Sequence, residues 1–435
     1  MSKRNQNSYE TKLFNNNEVN VIKISLNDNL KYDLLDPDLG DEEYFNCNMY
    51  INDELVNNVG IRIKGGSTRM IFSNSNEKLK KYSLKIKFDE YIDGQTYYGL
   101  DEIELNNQGY DKTFMCDYFV YDMMRFMGIA APLVSFADVY INDQYFGFYV
   151  CLENIKEAFL NRNFGEDYGE LYKPTGHGLI YSEENYKNIL DSAKTEISEE
   201  DKIRLTNSLK NLNSGNFKDS INIQKVIKYF AVNNFVGAPD NYFTNSPHNY
   251  YLYEKDGILE ILPWDYDFAF FHVGCMDYYD FTEKRFRPID NPISDGFDYA
   301  LEERPLWAFI VKDEMYNKLY HDYIEEFING YFYSGYFEKE YNRIYSLIEK
   351  HIISDYNKNF YIYENKSLND IFKRIDVFQT ICFSRAENVI KQISGEISTI
   401  SNDNYSNINI LEGYSYEKYS DYVREEKAEK FFTLS

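Results

Sequence analysis

Residues 248–267 read HNYYLYEKDGILEILPWDYD, a stretch that predicts two β-strands joined by a two-residue turn. Asp256 and Gly257 are the residue pair that type I′ turns favour, because both central positions of this turn need a positive φ. Tyr250–Glu254 precede the pair and Ile258–Leu262 follow it, and both runs are mostly aromatic or aliphatic. The segment is therefore predicted to be a β-hairpin.

The register of this hairpin brings polar residues to its open end. Counting back from the turn along both strands places Asn249 opposite Trp264, and one position further His248 faces Asp265. Residues that face each other across a ladder have Cβ atoms about 4.5–5.5 Å apart. A regular ladder would point Asn249 and Asp265 to opposite faces. Pro263 has no N–H to give the ladder, so pairing is predicted to stop there and leave Asp265 free to turn.

Four oxygen-bearing side chains flank this end of the hairpin: Asp240 in the preceding loop, Asn249, Asp265 and Asp267. Asp265 and Asp267 lie two positions apart, so an extended backbone would direct both carboxylates to one face. Like charges so close together are costly unless a cation lies between them. Ligands that are all oxygen suit Mg²⁺ or Mn²⁺. Each residue alone is typical of an ordinary turn, but together they predict a metal site with Asn249, Asp265 and Asp267 as ligands.

The order of these parts is that of kinase-like phosphotransferases. In those enzymes an Asp in the loop orients the nucleophile, and an Asn and a second Asp hold the metal ions. Asp240 is therefore the predicted catalytic residue. It precedes Asn249 by nine positions, whereas the two residues of the HRDxxxxN motif are five apart. Asn245 has the shorter spacing but does not lead directly into a strand, so Asn249 is preferred.

The periodicity of the remaining chain predicts an α+β fold. Strands are predicted at Glu18–Leu26, Gly60–Lys64, Tyr82–Phe88 and Val139–Leu152, the last broken by a turn at Asn142-Asp143. Helices are predicted at Asp111–Phe126, Ile221–Val236, Pro305–Phe332, Phe337–His351 and Leu368–Ile393. The predicted parts are a flexible lead-in (1–17), an N-lobe with an antiparallel sheet and one helix (18–155), a mostly helical C-lobe with the catalytic loop and metal site (156–395) and a polar C-terminal tail (396–435).

Several segments resemble the CotH family of atypical protein kinases. His248–Tyr253 together with Pro263–Asp267 looks like the hallmark of that family. Gly60–Thr68 is similar to its GxRxRGxSs segment, with Gly66 where Asn is usual. Further similar segments are Lys81–Phe88, Tyr140–Asn142, Gly147–Tyr149, Glu153, Leu171–Lys173, Arg304–Leu306 and Arg385-Ala386. The resemblance covers roughly residues 18–395.

This resemblance implies an atypical, two-lobed kinase fold that uses ATP and a divalent metal ion. The implied reaction is phosphorylation of Ser, with Thr as a second acceptor, on protein substrates. The usual setting of the family is the spore coat of endospore-forming bacteria. The chain as given opens on charged and polar residues with no apolar signal region, so a cytoplasmic or spore-coat location is expected.

A kinase needs a Lys that binds the nucleotide phosphates and an acid that orients it. Lys85 is the predicted Lys, since Ser83 stands two positions before it as the Ala does in V-A-I-K. Lys81 is the alternative, and a solvated basic strand face would explain either one. Asp117 is the predicted acid, although it is shorter than the usual Glu. Glu153 stands where a hinge contacts adenine, and pairing with Lys85 is its alternative.

The segment 64–68 is a candidate loop to cover the phosphates. Gly65, Gly66 and Ser67 would offer backbone N–H groups to the nucleotide, and Arg62 in the same family-like segment is assigned to nucleotide binding. Adjacent glycines are also typical of a plain turn. His248 is predicted to bind the loop backbone rather than to act as a base.

Composition restricts the classes of partner. The 435 residues include 71 acidic and 46 basic side chains, a net charge of −25, which disfavours duplex nucleic acid. Such a charge would steer a basic, Ser-rich protein substrate toward the surface, and it equally serves solubility. The longest apolar run, 127–134, is interrupted by Gly and Pro and does not predict a membrane span. The Cys and His residues show no zinc-ligand spacing.

Two other functions remain open from the sequence. One is a catalytically weak kinase-like scaffold or coat-assembly protein. The other is transfer of AMP, which would use the same site with the nucleotide reversed. The combination of Asp240, Asn249, Asp265 and Asp267 favours an active enzyme over the scaffold.

Overall fold

A computed structural model describes residues 8–27, 43–65, 81–238, 240–244, 246–272, 289, 291–294, 303–359 and 367–400. Their elements are, in chain order, α1 (Tyr9–Lys12), β1 (Asn20–Ser25), β2 (Phe45–Ile51), β3 (Glu54–Lys64), β4 (Ser83–Lys87), β5 (Glu102–Asn106), α2 (Cys116–Phe126), β6 (Val134–Ile141), β7 (Gln144–Glu153), α3 (Glu157–Phe164), β8 (Glu170–Tyr172), α4 (Glu183–Asp191), α5 (Glu199–Ser214), a 3₁₀ turn (Phe217–Asp219), α6 (Ile223–Val236), β9 (Tyr250–Lys255), β10 (Ile258–Pro263), α7 (Ala269–His272), α8 (Pro305–Lys312), α9 (Glu314–Phe327), a π-helical segment (Ile328–Tyr333), α10 (Tyr336–Lys358) and α11 (Leu368–Ile393). No helix in these ranges is long and apolar enough to cross a membrane.

The chain divides into two compact units. One, the barrel unit, consists of Met1–Phe114, Pro132–Asp167 and Glu340–Ile371. The other, the hairpin unit, consists of Met115–Ala131, Tyr168–Lys339 and Phe372–Ser435. Both units are discontinuous, so they differ from the predicted continuous lobes 18–155 and 156–395. The helix α2, predicted for the N-lobe, groups with the hairpin unit.

The sheet of the barrel unit is a closed barrel with the strand order β1-β2-β3-β4-β5-β7-β6. Neighbouring strands are antiparallel except β1 and β6, which pair in parallel from Asn20↔Ala137 to Ile24↔Ile141. The predicted purely antiparallel sheet carrying a helix is therefore wrong in this detail. Its cause is long-range: the β1–β6 pair and the unpredicted strands β2 and β5 close the sheet and leave it without edge strands.

Local chemistry explains individual strands of the barrel. β2 alternates buried and exposed residues along its whole length, as expected for a strand with one face on a core. The turn between β6 and β7 has positive φ at Asn142 and Asp143, which confirms the predicted hairpin. The predicted flexible lead-in contains α1, and the side chains of Tyr9, Leu13 and Phe14 are buried.

The hairpin unit contains a three-stranded sheet in the order β10-β9-β8. Lys255 pairs with Ile258, and the last pair of the β9–β10 ladder is Tyr250↔Pro263. Asp256 and Gly257 have φ values of 53° and 83°, as a type I′ turn requires. The predicted register and the predicted end of the ladder at Pro263 are both confirmed.

The helices of this unit agree with the prediction in position but less well at their ends. α6 begins after Asn222, whose side chain caps it, and ends at Gly237 in the left-handed conformation. The predicted helix Pro305–Phe332 is interrupted at Asp313, which has an extended backbone and accepts hydrogen bonds from the first turn of α9. α2 begins at Cys116, because Asp111 instead binds the backbone N–H of Thr113 in a preceding turn.

Candidate active site

The loop between α6 and β9 brings Asp240 and Asn249 together. The side-chain amide of Asn249 donates to the backbone oxygen of Asp240 at 3.1 Å and to its Oδ2 at 3.2 Å. Asn249 has a φ of 56°, which turns the chain out of the strand conformation just before β9 begins. Because its nitrogen points to Asp240, the amide oxygen of Asn249 is the atom that remains for a cation.

His248 is the second partner of Asp240. Its Nε2 lies 2.7 Å from Asp240 Oδ1, and its Nδ1 lies 2.6 Å from the backbone oxygen of Ser246. The hydrogen bond to Asp240 raises the pKa of His248, burial opposes this, and the carbonyl of Ser246 and the charges of Asp240 and Asp265 raise it further. The predicted contact of His248 with the loop backbone is confirmed, whereas its pairing with Asp240 was not predicted.

The chain leaves the ladder after Pro263 and takes its hydrogen bonds from α2. The backbone N–H of Asp265 donates to the hydroxyl oxygen of Tyr121 at 2.9 Å, and that of Tyr266 donates to Asp117 Oδ1 at 3.0 Å. Asp117 and Tyr121 lie four positions apart and thus on one face of the helix. Two side chains of α2 therefore replace strand partners for two consecutive amides.

This arrangement corrects two predictions. Asp265 has a φ of 60°, so the backbone from Asp265 to Asp267 is not extended and a period of two does not place both carboxylates on one face. Asp117 was predicted to orient Lys85, but its carboxylate binds the backbone of Tyr266. The prediction followed the kinase pattern of a helix acid, and the contact that replaces it links residues 149 positions apart.

Asp267 lies in the turn before α7, where the N–H of Ala269 donates to the backbone oxygen of Tyr266 at 2.9 Å. Among the described residues, no three His, Cys, Asp or Glu side chains form a group that could hold a metal ion. The predicted meeting of the carboxylates of Asp240, Asp265 and Asp267 at one spot is therefore not observed. Magnesium sites commonly use one or two carboxylates and take further oxygens from substrate phosphates, so Asn249 and Asp265 are donors of a suitable kind.

Lys85 lies on β4 between Arg62 of β3 and Glu104 of β5. Its Nζ is 2.7 Å from Glu102 Oε1, and 14% of its side chain is exposed. Glu102 is therefore the acid paired with Lys85. It escaped prediction because β5 was not predicted to be a strand, and its pairing with β4 is a tertiary contact that no local pattern shows.

Glu153 has other partners in the barrel unit. Its carboxylate accepts from the hydroxyl of Tyr9 at 2.6 Å, from the backbone N–H of Leu133 at 2.9 Å and from Nε of Arg162 at 3.0 Å. The alternative that Glu153 pairs with Lys85 is therefore wrong. Its contact with adenine stays a prediction.

Lys81 is buried in the barrel unit and cannot be a solvated phosphate ligand in this conformation. Its Nζ lies 2.8 Å from Asp355 Oδ2. It also lies over the rings of Phe114 and Tyr149, 5.2 and 5.0 Å from their centroids. Burial lowers the pKa of Lys81, and Asp355 opposes this shift. Of the two predicted lysines, Lys85 is the more accessible.

The candidate phosphate loop is described only at its start. The guanidinium of Arg62 lies over the ring of Tyr44 at 5.2 Å, and Gly65 has a φ of 90°. Gly66 and Ser67 lie outside the described residues. Lys64, which was not singled out, pairs with Glu104 and lies 2.6 Å from Asn106.

Two buried arginines hold the ends of the Asp240 loop. Arg385 donates to the backbone oxygens of Asn234 at 2.9 Å and of Phe235 at 3.0 Å, at the end of α6. Arg304 donates to the backbone oxygen of Thr244. Both belong to segments that resemble the CotH family, which was the only sequence signal for them.

The family is decided by a comparison over most of the chain. The model of the family described as CotH kinase protein matches residues 61–380. The chain belongs to the CotH family. This membership fits a kinase-like role, and it agrees with the resemblance seen in the sequence.

Two individual proteins are similar to this CotH family member, both at low sequence identity. The inner spore coat protein H of Bacillus subtilis (strain 168) is 26% identical over 297 residues, which are 64% of this chain and 76% of that protein. A chain from the complex of the Shewanella oneidensis MR-1 toxin–antitoxin proteins HipA and HipB with operator DNA is 13% identical, with a TM-score of 0.32. That match covers 69% of this chain and 61% of the other, less than two thirds of its length.

Proposed function

We propose that this CotH family member is an ATP- and divalent-metal-dependent protein kinase that phosphorylates Ser, with Thr as a second acceptor. The observation that carries the proposal is the hydrogen bond between Asp240 and Asn249 at the start of a hairpin whose other strand leads to Asp265. A loop Asp followed by an Asn and a second Asp is the set of parts that phosphoryl transfer uses.

Asp240 is the proposed catalytic residue. Its carboxylate would orient the substrate hydroxyl and take its proton as the new oxygen–phosphorus bond forms and ADP leaves. His248 and Asn249 each bind one carboxylate oxygen of Asp240 and so fix its orientation. A fixed base positions the nucleophile without reorganisation during the reaction.

Asn249 and Asp265 are the proposed residues for Mg²⁺ or Mn²⁺, and Asp267 is proposed as a further ligand. When bound, the ion would neutralise charge on the nucleotide phosphates. Tyr121 and Asp117 bind the backbone N–H groups of Asp265 and Tyr266, so the backbone that carries the Asp265 carboxylate is held in place.

Lys85 is the proposed ligand of the phosphates, with Glu102 in the role of the orienting acid. Arg62, Gly65, Gly66 and Ser67 remain proposed nucleotide contacts, and so does Glu153 for adenine. Lys81 is not proposed again, because its charge is already used in a buried pair.

The proposed substrate is a basic, Ser-rich protein, since the net charge is −25 and opposite charge accelerates encounter. The name of the Bacillus subtilis relative, inner spore coat protein H, supports association with a spore coat. Nucleic acid and membrane are not proposed as partners.

The deciding experiment incubates the full chain with ATP, Mg²⁺ and two Ser peptides of equal length, one basic and one acidic. We expect phosphate on Ser of the basic peptide, and a rate that falls as salt screens the attraction. Equal rates on both peptides would contradict the proposed substrate class but not the activity.

The same reaction separates the other two functions by mass spectrometry of the products. An AMP adduct instead of phosphate would replace the proposal by AMP transfer. No adduct, together with no rise in melting temperature on addition of ATP and Mg²⁺, would favour a scaffold, because a ligand that binds only the folded state must stabilise it.

A further inference from the structure

A single buried oxygen atom lies between the two segments that the proposed function uses. Asn233, in the last turn of α6, is completely buried. Its Oδ1 accepts a hydrogen bond from the hydroxyl of Tyr266 at 2.9 Å and from the side-chain amide of Asn241 at 3.3 Å. Both donors reach it from other parts of the chain, one from beyond β10 and one from the loop before β9.

The two donors are immediate neighbours of proposed site residues. Tyr266 stands between Asp265 and Asp267, and Asn241 directly follows Asp240. A shift of either donor would therefore move the backbone of a carboxylate that the reaction needs. Asn233 itself lies one helical turn before Gly237, where α6 ends and the Asp240 loop begins.

Tyr266 and Asn241 are each held by further contacts in addition to their hydrogen bonds with Asn233. The ring of Tyr266 is buried and packs edge-on against Tyr121, with centroids 5.9 Å apart. Its hydroxyl also lies 3.4 Å from the hydroxyl of Tyr229. The amide of Asn241 also donates to the backbone oxygen of Ala238, and its Oδ1 accepts from the N–H of Phe243 at 2.8 Å.

The other end of the Asn233 side chain points to a role for the oxygen. Its Nδ2 is buried and has no hydrogen-bond partner among the residues that the structure describes. An unsatisfied buried amide lowers stability, so the nitrogen gives no reason for Asn at this position. The two hydrogen bonds to Oδ1 are the polar contacts that account for this side chain.

We infer that Asn233 is a positioning residue that couples the Asp240 loop to the Asp265–Asp267 segment through its Oδ1. The inference rests on the proposed function for what the two segments do, whereas the coupling itself is a property of the ligand-free protein. Residues that hold metal ligands from behind typically change metal affinity by about 10–100-fold when they are replaced.

The test compares Asn233→Leu, which keeps the shape and removes the acceptor, with Asn234→Leu. Asn234 is the matched control: it is also buried, but its amide donates to the backbone oxygen of Ile293 and to the hydroxyl of Tyr320. Hydrogen exchange by mass spectrometry on the ligand-free protein should rise in both 240–244 and 264–268 for Asn233→Leu. The control should leave both peptides near the wild-type rate.

Tyr266→Phe is the second variant, because it removes only the hydroxyl and leaves the buried ring, so the test survives if Asn233→Leu fails to fold. It should raise exchange in 264–268, and its effect should be smaller in the Asn233→Leu background, where only the 3.4 Å contact with the Tyr229 hydroxyl remains to be lost. We also expect both variants to raise the Mg²⁺ concentration for half-maximal transfer by about tenfold.

The outcomes are distinct for the two proposals. Exchange unchanged in both peptides for Asn233→Leu and for Tyr266→Phe would overturn the coupling, even in an active enzyme. If both variants show raised exchange but the wild-type protein transfers no phosphate, the coupling is supported and the proposed function is refuted. A higher Mg²⁺ requirement that appears equally in Asn234→Leu would show a general structural effect and overturn the inference.

Discussion

Lys81 and Asp355 form an ion pair of 2.8 Å in which neither side chain is exposed to solvent. The carboxylate of Asp355 also accepts hydrogen bonds from the N–H of Phe148 and the amide of Asn359, both at 2.9 Å. The pair joins the segment before β4 to helix α10 inside the barrel unit. A charge in this setting is satisfied by its partners, so Lys81 contributes to the fold, and Lys85 is the lysine proposed to bind the nucleotide.

Lys81 and Lys85 should differ in what their replacement changes, stability for Lys81 and nucleotide binding for Lys85. Lys81→Met should lower the free energy of unfolding by about 3–5 kcal/mol, because it leaves the Asp355 charge buried without its partner. Lys85→Met should remove ATP binding with a smaller change in stability, since 14% of the Lys85 side chain is exposed and Glu102 keeps the side-chain amide of Asn154 as a donor. Urea unfolding and nucleotide titration measure the two effects. A Lys81→Met protein that is stable but cannot bind ATP would reverse the assignment.

Asp265→Ala should abolish phosphoryl transfer while the fold is retained. The carboxylate lies beyond the ladder, and the hydrogen bond of this residue to Tyr121 uses only the backbone N–H, which alanine keeps. Activity and circular dichroism are the measurements. Asp322→Ala is the matched control, because Asp322 is a half-exposed acid of α9 paired with Lys318. Transfer by Asp265→Ala at the rate of this control would remove Asp265 from the mechanism.

Asp240→Ala should remove turnover and leave the affinity for ATP nearly intact, as expected for a residue that orients the attacking hydroxyl. Separate measurements of kcat and of the Kd for the nucleotide decide this. A fall in affinity as steep as the fall in rate would make Asp240 a metal ligand instead.

The hairpin could be predicted from the sequence because its determinants are local. Asp256-Gly257 sets the turn, the turn sets the register from Lys255↔Ile258 onward, and Pro263 ends the ladder. Local determinants also suffice for α11, whose predicted bounds Leu368–Ile393 agree with the structure. These features need no information from distant parts of the chain.

The barrel and the partners of the charged residues depend on contacts that no local pattern contains. β1 pairs with β6 across more than a hundred residues, and this pairing closes the sheet. Glu102 pairs with Lys85 because β5 lies beside β4. Asp117 was recognised as an acid on a helix, but its partner, the N–H of Tyr266, belongs to a distant segment that carries no sign of it.

His177 makes the stability of the protein depend on pH. This imidazole is buried, and in the described part of the chain neither ring nitrogen has a hydrogen-bond partner. Burial lowers its pKa below the ordinary value of about 6.5. The unfolded chain then binds a proton at His177 more readily than the folded protein does. Stability from this group is therefore complete above about pH 6.5 and is lost as the pH falls below it.

His177→Gln should flatten the decrease in stability on acidification below about pH 6.5, measured as the change in urea midpoint relative to wild type. His321, whose pKa burial also lowers, should maintain part of the decrease. An unaltered pH profile in His177→Gln would show that His177 is solvated in the folded protein.

The last prediction concerns the atoms that meet at the end of the hairpin. Asn249 and Asp265 both have positive φ, at 56° and 60°. Both lie just beyond the last ladder pair, Tyr250↔Pro263, Asn249 before Tyr250 and Asp265 after Pro263. A left-handed residue at each strand end breaks the alternation that would otherwise keep the two side chains on opposite faces. We therefore expect the amide oxygen of Asn249 and the carboxylate of Asp265 to share one cation.

Ligand oxygens lie about 2.0–2.1 Å from Mg²⁺, so the two should be about 3–4 Å apart in a crystal structure with Mg²⁺ and a non-hydrolysable ATP analogue. Asn249→Leu and Asp265→Ala should both weaken Mg²⁺ binding, because each removes one ligand of the same ion. Side-chain tips that stay more than about 10 Å apart in that structure would show that these residues bind no common ion.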